Sequence, residues 1–270
     1  MDEIFRESLN TTLRVPVTLS NERIYKKPQG YVEQIFPQLI RTIYRRADSL
    51  IAISEGVKRD LIESFDIEPE KVEVIYNPVI TDEVYELMNE SVSHPFFSTP
   101  DPVYIGVGRL TEQKNFSHLI RSFNEVVSRQ DAKLIILGKG DREQQLKNLC
   151  SELSISDHVS FPGFVDNPYK YMSKSDVFVL SSKWEGFGNV IVEAMACGTQ
   201  VVATDCESGP AEILENGRYG HLVPVDQVQT LANMMEDALD NPYNDQLLQE
   251  RASDFHVNKI APQYESCIFS

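Results

Sequence analysis

The beat of hydrophobic and polar positions changes near residue 100. From there short apolar runs of strand length alternate with stretches whose apolar residues recur at helical spacing. Strands are expected at Val103–Val107, Lys133–Leu137, His158–Phe161, Asp176–Leu180, Gln200–Thr204 and Gly220–Val223, and helices near residues 115–129, 141–154, 189–197, 209–215 and 226–239. This succession of strand, crossover helix and strand predicts an α/β fold with a doubly wound parallel sheet, on which ligands bind beyond the carboxyl ends of the strands. Upstream, Arg14–Leu19 and Leu50–Ile53 read as strands, Tyr31–Arg46 and Ser54–Phe65 as helices with Ser54 as an N-cap, and Val72–Tyr76 as a strand ahead of Asn77-Pro78. Ser91–Pro102, with three prolines and little periodicity, reads as a linker or surface loop. Arg251–Phe269 has helical spacing at Phe255, Ile260, Tyr264 and Ile268.

At 270 residues and 41% hydrophobic, the chain can fill the cores of one or two domains, which excludes wholesale disorder. The longest apolar runs, such as Leu134–Leu137 and Val177–Leu180, are far short of a bilayer span, and the first residues lack the basic and apolar segments of a secretory signal. A cytoplasmic location is therefore expected. The net charge of −16 argues against a nucleic-acid partner. Cys150, Cys197, Cys206 and Cys267 form no CxxC pair and are read as free thiols, Cys197 and Cys206 serving packing.

Two strand-to-helix turns carry candidate chemistry. After the strand at residue 103 comes Gly106-Val107-Gly108-Arg109-Leu110-Thr111-Glu112-Gln113-Lys114-Asn115, where a tight turn, a helix N-terminus, Arg109 and Lys114 suit a diphosphate. Thr111 stands where a dinucleotide fingerprint needs a third glycine, and Gly138-Lys139-Gly140 fails likewise at Glu143. A plain glycine turn with exposed basic residues fits the spacing equally well. After the strand at residue 176 comes Ser181 through Ala194, in which Glu185 and Glu193 bracket Gly186-Phe187-Gly188-Asn189-Val190 at the start of a helix. Exposed N–H groups and two carboxylates suit a sugar nucleotide, with Glu193 accepting from ribose hydroxyls. The competing reading makes Glu193 a complement to the helix dipole and Glu185 a solvated loop acid. His118 reads as a surface or satisfied packing histidine, and Trp184 as a cleft wall or a loop aromatic.

Taken in order, Gly108-Arg109-Leu110 with Lys114-Asn115, Gly163-Phe164, Glu185-Gly186-Phe187-Gly188-Asn189 and Glu193 through Thr199 resemble the donor-binding half of glycosyltransferase family 4, over about Tyr44 to Pro242. Ser208 to Leu214 and Tyr219 to Pro224 are similar to its bacterial surface-polysaccharide branch. The resemblance implies the C-terminal Rossmann-like half of a retaining GT-B enzyme with a truncated N-terminal α/β remnant. The divisions would be 1–90 for the remnant, 91–250 for the donor domain and 251–270 for a helix crossing back. It implies that Arg109 and Lys114 hold the diphosphate and neutralise the leaving group. Glu193 would grip the ribose, Phe164 line the base site, and the backbone of Gly186, Phe187, Gly188, Asn189 and Val190 meet sugar and phosphates beside Gly108. Glu185 would contact the transferred sugar. The donor would be a nucleoside-diphosphate sugar, UDP-sugar foremost, and the acceptor a glycan or lipid-linked glycan. No cofactor or metal is implied. An acceptor half supplied by a complementing chain or a second copy, and peripheral contact of the Arg41–Arg46 cluster with anionic lipid, stay open. So do two other readings: a noncatalytic nucleotide-sugar-binding subunit completed by a partner, and an epimerase on the same architecture.

Overall fold

A computed structural model describes residues 44–47 and 49–269. They form two compact units: the described residues up to Tyr76 together with those from Pro262, and Asn77 to Ala261. The expected strand at Arg14–Leu19, the helix Tyr31–Arg46 before residue 44 and the start of the Arg41–Arg46 cluster lie outside the described residues; residues 44–46 are helical. No helix among the described residues is long and apolar enough to cross a membrane.

In the first unit β1 (Leu50–Ala52) pairs in parallel with β2 (Val72–Val74), followed in sequence from β1 by α1 (Glu55–Phe65). Ser54 caps α1 as expected, its Oγ accepting from Val57 N at 3.1 Å. Val57, Leu61 and Phe65, spaced by four, form the buried face of the helix.

The second unit is built on six parallel strands, β3 (Val103–Val107), β4 (Lys133–Leu137), β5 (Val159–Gly163), β6 (Val177–Leu180), β7 (Gln200–Thr204) and β8 (His221–Val223), in the order β5-β4-β3-β6-β7-β8. Residues of β6 and β7 are buried throughout, which is why they read as continuous apolar runs rather than alternating ones. The crossovers are α3 (Phe116–Val127), α4 (Glu143–Glu152), α5 (Tyr169–Met172), α6 (Asn189–Ala196) and α7 (Pro210–Ile213), preceded in sequence by α2 (Asp82–Leu87) and followed by α8 (Val228–Asp240), α9 (Asp245–Ala252) and α10 (Val257–Phe269). Phe116, Leu119, Ile120, Phe123 and Val126 of α3 join Leu231, Ala232 and Met235 of α8 in one core cluster. Each full burial of such a side chain contributes roughly 1.5–3 kcal/mol. Surface ion pairs such as Lys147–Glu143 contribute at most about 1 kcal/mol, so packing holds the unit together.

The strand order reverses between β3 and β6. Chain leaving β3 passes to β4 on one side, and chain leaving β6 passes to β7 on the other. At such a switch point the two following loops part and leave a crevice at the carboxyl edge. Both candidate turns sit there.

Of the two readings of Ser91–Pro102 the structure shows the surface loop: Pro95–Ser98 forms a 3-10 turn, and His94 accepts from Phe96 N, pairs with Ser160 Oγ at 3.0 Å and stacks edge-on against Phe97 and Tyr171. The compact units part between Tyr76 and Asn77, and within the second unit Ile80 bridges His256, Ser173 Oγ donates to Met88 O and Asn167 Nδ2 donates to Leu87 O. The helical pattern over Arg251–Phe269 is interrupted by a 3-10 turn at Ser253–Phe255 and extended His256, where Val79 N and Ile80 N donate to Phe255 O and Val257 N donates to Ile80 O. The helices α2, α5 and α9 were not expected; α2 and α5 have only six and four residues, too short for periodicity to reveal.

Candidate active site

The loop after β3 is shaped from behind by the turn after β4. A Cβ on Gly138 would lie 1.9 Å from Gly108 O, and one on Gly140 would lie 2.3 Å from Leu110 O. Leu110 N donates to Lys139 O and Arg142 N to Leu110 O, at 3.0 and 3.1 Å. The Gly138-Lys139-Gly140 turn therefore serves close backbone packing against Gly108–Leu110. That explains two glycines that fit no nucleotide fingerprint.

The loops after β3 and β6 are laced together. Ser181 Oγ donates to Lys114 O at 2.8 Å, Lys183 N to Gln113 O at 2.8 Å, and Gln113 Nε2 to Trp184 O at 3.1 Å. Glu112, at the rim, pairs with Arg142 and Lys183. At the centre Lys114 Nζ meets Glu185 Oε1 at 2.6 Å, with Glu185 6% exposed. The same oxygen accepts from Ser182 Oγ at 2.5 Å. Glu185 is thus not a solvated loop acid.

Glu193, one turn into α6, is half-buried, and burial holds its carboxyl above the ordinary range while the charge of Lys114 pulls it back. Lys114 therefore pairs with Glu185 across some 70 positions of sequence, and its charge is felt at Glu193. Burial first and the charge of Glu193 second push the hydroxyl of Tyr169, on α5, up to about 12. Cys206 is likewise pushed up to about 12 by burial and then by Glu185, and Cys197 to about 12 by burial and then by Glu193. Both are inert at neutral pH, consistent with packing thiols; all four cysteines are free and buried.

The remaining expected residues are placed as follows. Arg109 is exposed on its turn. Phe164 is 65% exposed just past β5, on a turn tied to the β4 loop by Gly138 N donating to Gly163 O at 2.8 Å. Gly186 is buried, Gly188 is the N-cap of α6 at φ 97°, and Val190 is half-buried. Asn189 is exposed, its Oδ1 accepting from Asn77 Nδ2 at 2.8 Å. The Phe187 ring turns into the core against Phe255, 5.4 Å between centroids, so only its backbone is available to a ligand. Arg109 and Phe164 stand on turns at the same carboxyl edge as the Lys114 cluster, with no hydrogen bond or ion pair to it among the described residues. His118 departs from expectation: it is buried, and its Nε2 has no partner among the described residues. Trp184 is half-buried and its backbone bridges to Glu207. Ser182, Gln113 and Tyr169 escaped the sequence reading, since a hydroxyl or amide without a charged or glycine-rich context carries no signal of its own.

The family model described as glycosyl transferases group 1 matches residues 89–255, and that of glycosyltransferase family 4 matches residues 9–83. The chain belongs to the group 1 glycosyltransferases. An uncharacterized glycosyltransferase of Methanocaldococcus jannaschii is 30% identical over 305 residues, covering 99% of this chain and 74% of its own length. The N-acetylgalactosamine-N,N'-diacetylbacillosaminyl-diphospho-undecaprenol 4-alpha-N-acetylgalactosaminyltransferase of Campylobacter jejuni is 36% identical over 83% of this chain. The chain spans 60% of the length of that relative. Among solved structures, Anabaena HepE in complex with UDP and glucose aligns with a TM-score of 0.77 at 25% identity, covering 88% of this chain and 67% of its own. The parallel Rossmann-like sheet of this chain is thus that of the GT-B architecture.

Proposed function

We propose that the chain binds a nucleoside-diphosphate sugar, UDP-sugar foremost, at the crevice between the β3 and β6 loops. It transfers the sugar, with retention, to a glycan or lipid-linked acceptor of a cell-surface polysaccharide. The observation that carries this reading is the ion pair of Lys114 with Glu185 at the topological switch point, where the charge of Lys114 also reaches Glu193. A cation beside two acids at the start of a helix suits a ligand with anionic phosphates and hydroxyl-rich sugars on either side. The lipid diphosphate in the name of the Campylobacter relative and the UDP in the HepE complex support the choice of acceptor and base.

In this reading Lys114 and Arg109 contact the diphosphate and offset the charge that grows on it as the glycosidic bond to the nucleotide breaks. Glu193 accepts from the ribose hydroxyls. Glu185 contacts the transferred sugar, whose oxocarbenium-like character in the transition state a neighbouring carboxylate favours. Phe164 lines the base, and the N–H groups at the start of α6 meet sugar and phosphate.

The test is equilibrium binding of UDP, GDP and ADP to the unaltered chain, to Arg109→Ala and to Arg109→Ala/Lys114→Ala. Removing two charge-assisted contacts is expected to weaken the preferred diphosphate about a hundredfold or more. Arg109 is exposed, so its single variant reports on binding rather than folding. Absence of binding to the unaltered chain, or equal binding by the double variant, overturns the assignment.

A further inference from the structure

We infer that Ser182 is a positioning residue for Glu185, fixing its carboxylate so that Oε2 is presented to the donor sugar. The inference rests on the donor-site reading above. Both protein donors to Glu185 fall on one oxygen: Lys114 Nζ at 2.6 Å and Ser182 Oγ at 2.5 Å both reach Oε1. Among the described residues Oε2 accepts from none, so one edge of the carboxylate is anchored and the other is left for a ligand. Two donors from different directions also define the carboxylate plane, which one flexible lysine cannot do.

Ser182 is fully buried and so does not itself touch the donor. It is held in turn by Thr204 at the end of β7, whose Oγ1 donates to Ser182 O at 2.6 Å. Ser181 Oγ holds the backbone of Lys114. The acid and the cation of the crevice thus each hang from a serine at the end of β6, but their duties differ. A diphosphate competes with Glu185 for Lys114, since one ammonium that shifts toward the phosphate lengthens its contact with the carboxylate. Once Lys114 turns to phosphate, the Ser182 hydroxyl is the contact that keeps Glu185 in place. Its contribution is therefore greatest when donor is bound, which separates positioning from ordinary structural support.

The experiment compares the unaltered chain with Ser182→Ala, Ser182→Cys and Ser182→Thr. For each, the affinity for UDP and for UDP-glucose, UDP-galactose, UDP-N-acetylglucosamine and UDP-N-acetylgalactosamine is measured, together with kcat and KM for release of UDP from the sugar nucleotide bound best. Ser182→Ala is expected to keep UDP affinity within about twofold, while the gain of the sugar nucleotide over UDP and the kcat each fall about tenfold. Ser182→Thr, which keeps the hydroxyl, is expected to restore most of both. Ser182→Cys, close in size with a weak donor, carries the comparison if the alanine variant does not fold. An unchanged ratio of sugar-nucleotide to UDP affinity with unchanged kcat overturns the role of Ser182 alone. So does equal weakening of both ligands, which marks plain structural support. Failure of the unaltered chain to bind any of these nucleotides overturns the donor-site reading and, with it, the role of Ser182.

Discussion

Glu193 shows how a single side chain can work against the stability of its own fold. Burial holds its carboxyl above the ordinary range, and the charge of Lys114 offsets only part of that. A carboxyl whose folded pKa is raised stabilises the fold below its unfolded value, about 4.3, and loses that contribution as pH rises through the folded value. At pH 7 the charge on Glu193 is therefore a net cost of folding. Glu193→Gln is expected to raise Tm at pH 7 by about 1–3 °C, the gain vanishing near pH 4 where both proteins carry a neutral group. Nucleoside-diphosphate affinity is expected to fall about tenfold, because an amide is a poorer acceptor for ribose hydroxyls than a carboxylate. Thermal scans at both pH values with UDP titrations check the pair; a variant that is less stable at pH 7 contradicts the argument.

At the scale of elements, backbones press together at the carboxyl edge, and glycine is required where they do. A Cβ on Gly209, just before α7, would sit 1.7 Å from Phe187 O in the loop that opens α6. Gly217 has a similar positive φ of 97° but nothing within 4 Å of its Cβ position. Gly217→Ala is therefore expected to cost only the left-handed strain of about 1–2 kcal/mol. Gly209→Ala must also push two loops apart, and is expected to cost about 3 kcal/mol or more and to abolish UDP binding. Denaturant midpoints and UDP titration of the two variants separate strain from collision. The same edge marks how far the sequence could be read. Val103–Val107, Lys133–Leu137 and Gln200–Thr204 were legible to the residue because each strand of this largely buried parallel sheet has a short apolar centre. The candidate cluster was legible because cations and acids follow glycines at strand ends, and the family resemblance ordered them. Asp82–Leu87 and Tyr169–Met172 were not, being too short to show a period, and neither was the break at His256, which is set by pairing with Ile80, far away in sequence. Gly138 and Gly140 were visible as glycines, but their purpose lay in the backbone they back onto.

For the Asn77–Ala261 unit as a whole, the buried histidines set the response to acid. His94, His118 and His221 all have pKa values lowered, first of all by burial, with Asp226 opposing at His118 and Asp237 at His221. The Nε2 atoms of His118 and His221 have no partner among the described residues, so a proton added there gains no hydrogen bond to compensate its lost hydration. In the unfolded chain the same rings titrate near about 6.5. Below that value the unfolded state binds more protons than the folded one, and stability falls as pH falls until the depressed folded values are passed. Glu193 contributes with the opposite sign as pH falls through its raised folded value, so the net slope is the histidine loss less that offset. The Tm is therefore expected to drop by several degrees between about pH 7 and pH 5.5. His118→Gln/His221→Gln, which carry no titrating ring, should flatten most of that slope even if they lower the Tm at pH 7, because the slope reports protons bound and not packing. A slope unchanged in the double variant would assign the acid response to other groups; a Tm that rises as the unaltered chain is acidified through this window would reverse the sign of the argument.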